Sequence, residues 1–354
     1  MISKNNTYAV ALSGGVDSST VAAMLLKEGH EVFGVTMLTQ PDGCESVIKK
    51  ASIVAKQLGI KHYVLDVIDE FKKEVIDYFI NSYLNGTTPN PCAICNKKIK
   101  LNKLLIFAKE KGADYLATGH YASIEYINNN VYLKESNNKL KDQSYFLSLT
   151  SKEHLKYIKT PLSNINNKRE TRELAKSFGL SNFQEKDSQD ICFIKNNDYI
   201  SFIRNNIEDK RLLDRQGNII LKNSNTILSQ HKGLVNYTTG QRRGLGISNS
   251  EPLYVTNINY NNNTITVGTK KDLLIKTFNV NQFNWLIEQE NSSFECYVKV
   301  RSGHSKFKAL VNINDINNVT VNLLEDNTVA ICPGQVCVLY NNKNIVIGAG
   351  IINK

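Results

Sequence analysis

The seven residues Ser13-Gly14-Gly15-Val16-Asp17-Ser18-Ser19 bring together two consecutive glycines, three hydroxyls and one carboxylate. They follow the apolar run Tyr8 to Leu12 and open an apolar-periodic stretch from Thr20 to Lys27, so the segment reads as strand, glycine-rich turn and helix start. Paired glycines let backbone approach a ligand closely, and a helix N-terminus offers free N–H groups with partial positive charge. Such a turn cradles phosphate. It lacks the lysine of a Walker A loop, and a carboxylate alone repels phosphate. The expected ligand is therefore a polyphosphate bridged by Mg²⁺, with Asp17 as the metal's partner. An ordinary capped helix start accounts for the serines and Asp17 but leaves the paired glycines without a reason.

Two cysteine contexts are equipped for nucleophilic or redox work. The first is Thr88-Pro89-Asn90-Pro91-Cys92-Ala93-Ile94-Cys95-Asn96-Lys97-Lys98-Ile99-Lys100. Its prolines predict an extended approach, with a helix beginning near Asn96. Cys95 then stands beside a helix N-terminus and a basic cluster, both of which lower a thiol pKa. The second is the polar loop from Lys186 through Asp187, Asp190 and Ile191, which ends in Cys192-Phe193. Cys92-x-x-Cys95 matches half of a zinc site, yet no second pair completes it. Cys44, Cys296, Cys332 and Cys337 read as small buried hydrophobes and receive no role.

Regular elements must hold these residues in place. From Tyr8 to about Asn206, strand-like runs at Ala9 to Leu12, Glu31 to Met37, Lys61 to Asp66 and Tyr115 to Thr118 alternate with helical patterns. Those patterns fall at Ser18 to Glu28, Ser46 to Leu58, Glu70 to Leu84 and Ile99 to Lys111. The order predicts a doubly wound parallel α/β sheet. Its ligand site belongs at the carboxyl ends of the strands, where the glycine turn, Met37 and Gly119-His120 fall. Beyond Asn206 the texture turns to short β-branched runs and Asn- and Gly-rich turns. This predicts two small all-β modules, the last barrel-like. The expected units are residues 1–206, with a helical extension after Ser151, then 207–277 and 278–354.

Charge narrows the partners. The chain carries 43 basic and 33 acidic residues, a net +10, which suits a polyanion. RNA is expected rather than a membrane, since no apolar run reaches roughly 18 residues and the N-terminus shows no signal-peptide core. Seven unevenly spaced cysteines without an export signal predict cytoplasmic thiols rather than a disulfide framework.

Read in order, several strings resemble one family. They are Ser13 to Ser19, Asn90-Pro91-x-x-x-Cys95-Asn96, Gly119-His120-Tyr121-Ala122, Lys141-Asp142-Gln143-Ser144-Tyr145-Phe146-Leu147, the loop Asp187 to Phe193, Gly240 to Gly246 and Pro333-Gly334-Gln335. Their order over nearly the whole chain resembles that of the tRNA-specific 2-thiouridylases, and the glycine turn resembles the PP-loop of the ATP pyrophosphatases. The resemblance implies an adenine nucleotide α hydrolase-like catalytic domain. It implies an enzyme that uses ATP and Mg²⁺ to replace O2 of the wobble uridine with sulfur in lysine, glutamate and glutamine tRNAs, releasing AMP and diphosphate. By the same resemblance Ala11, Leu12, Ser13, Gly14, Gly15, Val16, Asp17, Ser18, Met37 and Gly119 hold ATP. Cys192 carries a persulfide received from an upstream sulfur-relay protein, and Cys95 is its partner in a transient disulfide. Asn90, Pro91 and Cys92 meet the flipped base. His120, Lys141, Asp142, Gln143, Arg301, Ser302 and Gln335 line the RNA path.

The chain departs from the family pattern at Cys92, where many members have Asp. A thiol accepts hydrogen bonds poorly, so a base contact there must differ. Cys92, Cys95 and Cys192 also allow a second sulfur carrier, a [4Fe–4S] cluster with one open iron. Two further readings stay open: a different PP-loop adenylating enzyme, which needs no paired thiols, and a non-catalytic RNA-binding protein on the same fold. Arg242-Arg243 and Lys306 with Lys308 read equally well as phosphate contacts or as solvated charges.

Overall fold

The computed structural model describes residues 5–41, 44–185, 190–324 and 329–353. Strands β1 (Thr7–Ala11), β2 (Glu31–Leu38), β3 (Lys61–Asp66), β4 (Tyr115–Ala117) and β7 (Ile158–Lys159) form a wholly parallel sheet in the order β3-β2-β1-β4-β7. An antiparallel hairpin, β5 (Ser123–Ile127) and β6 (Asn130–Lys134), is inserted before β7. The centre of β1 and of β2 is buried, as the short apolar runs require of strands covered on both faces. Helices α1 (Val16–Lys27) and α2 (Glu45–Leu58) follow the first two strands. The doubly wound sheet expected from the sequence is present, and the glycine turn sits at the carboxyl end of its central strand.

Two further helices run through wide turns. In α3, Ile68–Phe71, Lys72–Ile76 and Asp77–Leu84 follow one another without a break, the middle piece being π-helical. In α4, Pro91–Cys95, Asn96–Lys103 and Leu104–Glu110 do the same, again with a π-helical middle. The sequence reading starts this helix near Asn96. It starts five residues earlier because Pro91 occupies the first helical position, where its missing N–H costs nothing, and the Asn90 side chain accepts from Ala93 N at 3.1 Å. Helix α5 (Lys168–Ser177) is capped by Asn167, whose side chain accepts from Glu170 N at 3.0 Å.

Both β regions form. Tyr254–Asn259, Thr264–Gly268, Gly217–Leu221 and Ile227–His231 pair in that order as a four-stranded sheet. Thr277–Trp285, Asn318–Leu323, Phe307–Asp315, Ser293–Lys299, Val336–Tyr340 and Val346–Ile352 close into a barrel. The barrel encloses its own core, including Val298, Val311, Val321 and Leu339. Its outer face joins the catalytic core, where Val336, Val338, Tyr340 and Val346 pack in one cluster with Leu101, Leu104, Tyr145 and Leu147. Tyr145 is fully buried and donates from its hydroxyl to Val336 O at 2.8 Å.

The loop before Val336 makes the closest link between barrel and catalytic domain. Thr88 N donates to Pro333 O at 2.8 Å, and the Gln335 amide donates to Thr88 O at 2.9 Å and Pro89 O at 3.0 Å. Gly334 has φ +93°, and a Cβ there would lie 2.8 Å from Thr88 O. Gly334→Ala should therefore destabilise by roughly 1–3 kcal/mol through backbone strain and the close approach. A lowered denaturation midpoint checks this, with Gly303→Ala as the control, since nothing lies within 4 Å of a Cβ at Gly303.

Candidate active site

The glycine turn is built as a phosphate cradle. Gly14 has φ +75°, and a Cβ on it would lie 2.6 Å from Lys50 Cβ, so no larger residue fits. The hydroxyls of Ser13 and Ser18 are 3.2 Å apart, and Ser18 also donates to Gly15 O at 3.2 Å. No side chain caps α1, which leaves the amides of its first turn directed at the cradle. Asn182 ties the turn down from outside, its amide donating to Gly14 O at 2.7 Å and Ser19 Oγ at 2.8 Å. Gly119 closes the cradle from the β4 side. A Cβ there would stand 2.9 Å from Asp17 Cβ and 3.0 Å from Ser18 N. Met37, at the end of β2, packs half-buried against the two clusters beneath the site.

Asp17 is already neutralised. Lys168 Nζ donates to both of its carboxylate oxygens at 2.7 Å, and Tyr121 Oη donates to Oδ1 at 2.7 Å. Thr171 Oγ1 lies 2.8 Å from the same tyrosine hydroxyl. The sequence reading gave Asp17 a magnesium ion and missed Lys168. Lys168 is 151 positions away, and no local pattern joins the two. The Asp17 carboxylate is of the right chemistry to hold a magnesium ion, and the Lys168 ammonium now sits against both of its oxygens.

The thiols occupy a neighbouring environment with one cation in common. Cys92 and Cys192 are exposed, whereas Cys95 is buried at 8% exposure. Burial pushes Cys95 up to about 12, with Cys192 and Cys92 adding to the rise and Lys100 opposing it. Burial of the thiol outweighs Lys100, so the low pKa expected from a helix N-terminus and a basic cluster is not reached. Crowding raises Cys92 and Cys192 as well, and Lys100 again opposes. Lys100 is five residues beyond Cys95 within α4. A π-helical turn, bonded i→i+5, aligns such a pair better than an α-helix does. The sequence showed a basic cluster here but not which of its lysines faces the sulfurs.

Phe193 anchors the Cys192 loop. Its ring meets Phe71, Phe79 and Phe202 at centroid distances of 5.8, 5.4 and 5.0 Å. The earlier part of that loop, Lys186 to Gln189, including Asp187, lies outside the described residues. Among the described residues, no group of three or more His, Cys, Asp and Glu side chains is placed to hold a metal ion.

The residues expected to line an RNA path divide into two kinds. Asn90 and Pro91 are buried and shape the start of α4, while Cys92 is exposed. His120 is pushed down to about 3 by burial and then by Lys100, so it is neutral at physiological pH, with Thr118 Oγ1 at 2.9 Å from Nδ1. Asp142 accepts from Ser136 N at 2.9 Å and Ser144 Oγ at 2.7 Å, and Gln143 Oε1 accepts from Tyr121 N at 2.9 Å. Both side chains thus build the Lys141 loop. Arg301 and exposed Ser302 lie in the tight turn after the barrel strand Ser293–Lys299. Lys306 pairs with Glu135 at 3.0 Å and Lys308 with Glu295 at 2.7 Å, which favours the structural reading of both.

Residues 6–196, 204–269 and 275–352 match three consecutive domain families. These are described as a tRNA methyl transferase HUP domain, a tRNA methyl transferase PRC-barrel domain and an aminomethyltransferase β-barrel domain. The whole chain is 44% identical over 354 residues to a tRNA-specific 2-thiouridylase of Fusobacterium nucleatum, covering 99% of this chain and 94% of that protein. The chain belongs to the tRNA-specific 2-thiouridylase family. Another 2-thiouridylase, from Rickettsia peacockii, is 43% identical over 364 residues and covers 99% of this chain and 98% of its own. As in the relatives, then, the 2-thiouridylase family unit spans all three parts of the fold.

Thiol reactivity follows from these environments. Burial keeps Cys95 overwhelmingly protonated at neutral pH. Iodoacetamide should label Cys92 and Cys192 before Cys95, and Cys95 labelling should rise about tenfold per pH unit. Lys100→Ala should slow labelling of Cys192, because the cation that favours its thiolate is gone. Peptide mass spectrometry reads all three sites, and Cys95 labelling as fast as Cys192 would contradict this account.

Proposed function

We propose that this protein catalyses ATP-dependent 2-thiolation of the wobble uridine in lysine, glutamate and glutamine tRNAs, with Cys192 carrying sulfur as a persulfide. What supports the reading is that exposed Cys192 and buried Cys95 both feel the charge of Lys100, in the same domain as the glycine turn. The uridine O2 is a poor leaving group, so it attacks the α-phosphorus of ATP. Diphosphate leaves, and N3 gives up its proton as the amide becomes an imidate. The open amides of α1 take the phosphates, and Lys168 neutralises charge as diphosphate forms.

The terminal sulfur of the Cys192 persulfide then attacks C2, and AMP departs with the former O2. The base is left joined to Cys192 through a sulfur–sulfur bond. Cys95 attacks the Cys192 sulfur, a Cys95–Cys192 disulfide forms, and the 2-thiouridine is released. The thiol proton of Cys95 restores the one lost from the base. Burial suits this order, since it keeps Cys95 protonated and unreactive until the adduct exists. A thiol reductant returns both cysteines to the starting state, and an upstream persulfide protein reloads Cys192 at its exposed position. The cluster route draws no support from the described thiol geometry. Methyl transfer, named in two of the matching domain descriptions, gives the paired thiols nothing to do.

Nucleoside mass spectrometry on an unmodified glutamate tRNA tests the reading. Metal-free protein with Mg-ATP and a persulfide donor should form 2-thiouridine, and Cys192→Ala should form none. Cys95→Ser should accumulate a tRNA–protein adduct that a thiol reductant releases. Product only after anaerobic iron–sulfur reconstitution would overturn the persulfide step. Lys168→Ala should separately lower the rate of tRNA-dependent diphosphate release by roughly 100-fold or more, as expected for loss of a charge that stabilises the transition state. An unchanged rate would remove Lys168 from the adenylation step.

A further inference from the structure

A fourth thiol lies beside the Cys192 loop. Cys296, Cys332 and Cys337 are buried, whereas Cys44 is half-buried at the N-cap of α2. Helix α2 runs alongside the chain that leads to Cys192, in the opposite direction. Near its C-terminal end Gln57 donates to Gly179 O and accepts from Ser181 Oγ at 3.3 Å. About two turns nearer its N-terminus, Lys50 pairs with Glu185 at 2.7 Å. Contacts that move back along the helix as they move forward along the chain bring Cys44, at the helix start, toward the residues that follow Glu185.

The other flank agrees. Met37, at the end of β2, and Ile191 pack against the same buried cluster that holds Cys95 and Phe193. Thr39 stands two residues past Met37, and its hydroxyl is 3.7 Å from Cys44 Sγ. Cys44 and Cys192 are close enough that a charge on Cys44 opposes ionisation of Cys192. Helix contacts, strand end and electrostatics converge on one placement. Cys192 thus has neighbouring thiols of unlike access, buried Cys95 and half-buried Cys44.

Sulfur transfer leaves Cys192 joined to Cys95. A disulfide to a buried sulfur is slow to reduce: solution thiols do not reach Cys95, and attack on Cys192 must expel a thiolate that burial disfavours. An intramolecular thiol meets the same leaving group with the advantage of proximity. We propose that Cys44 is the resolving thiol of Cys192, taking it over from Cys95 at the end of each turnover. The proposal rests on the persulfide reading above. The Cys44 sulfur bonds to the Cys192 sulfur, the Cys95–Cys192 bond breaks, and the proton lost by Cys44 goes to Cys95. One disulfide replaces another, so no oxidant is consumed. The Cys44–Cys192 disulfide joins a half-buried to an exposed position, where the thiol reductant already required by the cycle opens it.

Trapping tests the contact and turnover tests the role. Cys95→Ser protein, oxidised with diamide and digested without reduction, should yield the Cys44 peptide linked to the Cys192 peptide. A Cys92–Cys192 link in its place would overturn the assignment to Cys44. Wild type and Cys44→Ser are then compared on unmodified glutamate tRNA with Mg-ATP, a persulfide donor and limiting glutathione. Cys44→Ser should form its first equivalent of 2-thiouridine and accumulate the Cys95–Cys192 disulfide. It should then slow by roughly tenfold or more, the loss expected when an intramolecular thiol is removed. The stalled variant, treated with dithiothreitol and returned to fresh donor and ATP, should form a further equivalent, which a variant damaged in its fold would not. Equal steady rates with no accumulated disulfide in Cys44→Ser would overturn the resolving role while leaving the thiolation reading intact. A wild type that forms no 2-thiouridine would instead sink that reading, and the resolving role with it.

Discussion

Gln335 spends its side-chain amide protons on the carbonyls of Thr88 and Pro89, and Thr88 returns a hydrogen bond to Pro333. These contacts span almost 250 positions of chain and hold the extended segment that leads into α4. Everything at the thiol site inherits its position from that clamp. Pro91 starts the helix where the segment ends, the wide turn of α4 brings Lys100 round, and the Phe193 contacts fold the Cys192 loop against the same layer. Two proline-restricted residues make the segment stiff, so fixing one end fixes the direction in which the helix leaves.

Charge is arranged in the opposite manner at the two halves of the site. At the glycine turn, Asp17 is held by Lys168 and Tyr121. Around the sulfurs, among the described residues, Lys100 acts on all three thiols and burial opposes ionisation. The first half suits a highly charged ligand that brings its own counter-ion. The second suits thiols that must stay inert between turnovers, since a permanently ionised Cys95 would be open to oxidation and premature exchange.

Local pattern and local chemistry were legible in the sequence; long-range pairing was not. The glycine turn, the parallel order of strands and the barrel character of the last segment follow from periodicity and turn residues, which act over a few positions. Asn90-Pro91 continues the extended pattern in sequence, yet Asn followed by Pro is also a cap followed by a first helical residue, so α4 starts earlier than the pattern predicts. The thiol pKa values went astray with it, since burial by distant segments outweighs the nearby lysines. Lys168, Tyr121 and Asn182 carry no recognisable spacing relative to the turn they support. Only the packing of α5 on α1 brings Lys168 to Asp17.

The barrel closes on itself and so exposes no free sheet edge, a property expected of an autonomous module. Its outer wall nevertheless contributes Val336, Val338, Tyr340 and Val346 to the same buried cluster as Leu101, Tyr145 and Leu147. Topological closure and energetic independence are thus separate properties, and this protein has only the first. The chain divides into three in sequence, but its catalytic domain and the barrel wall share one buried cluster. Removing the barrel would uncover the core on which the thiol helix rests.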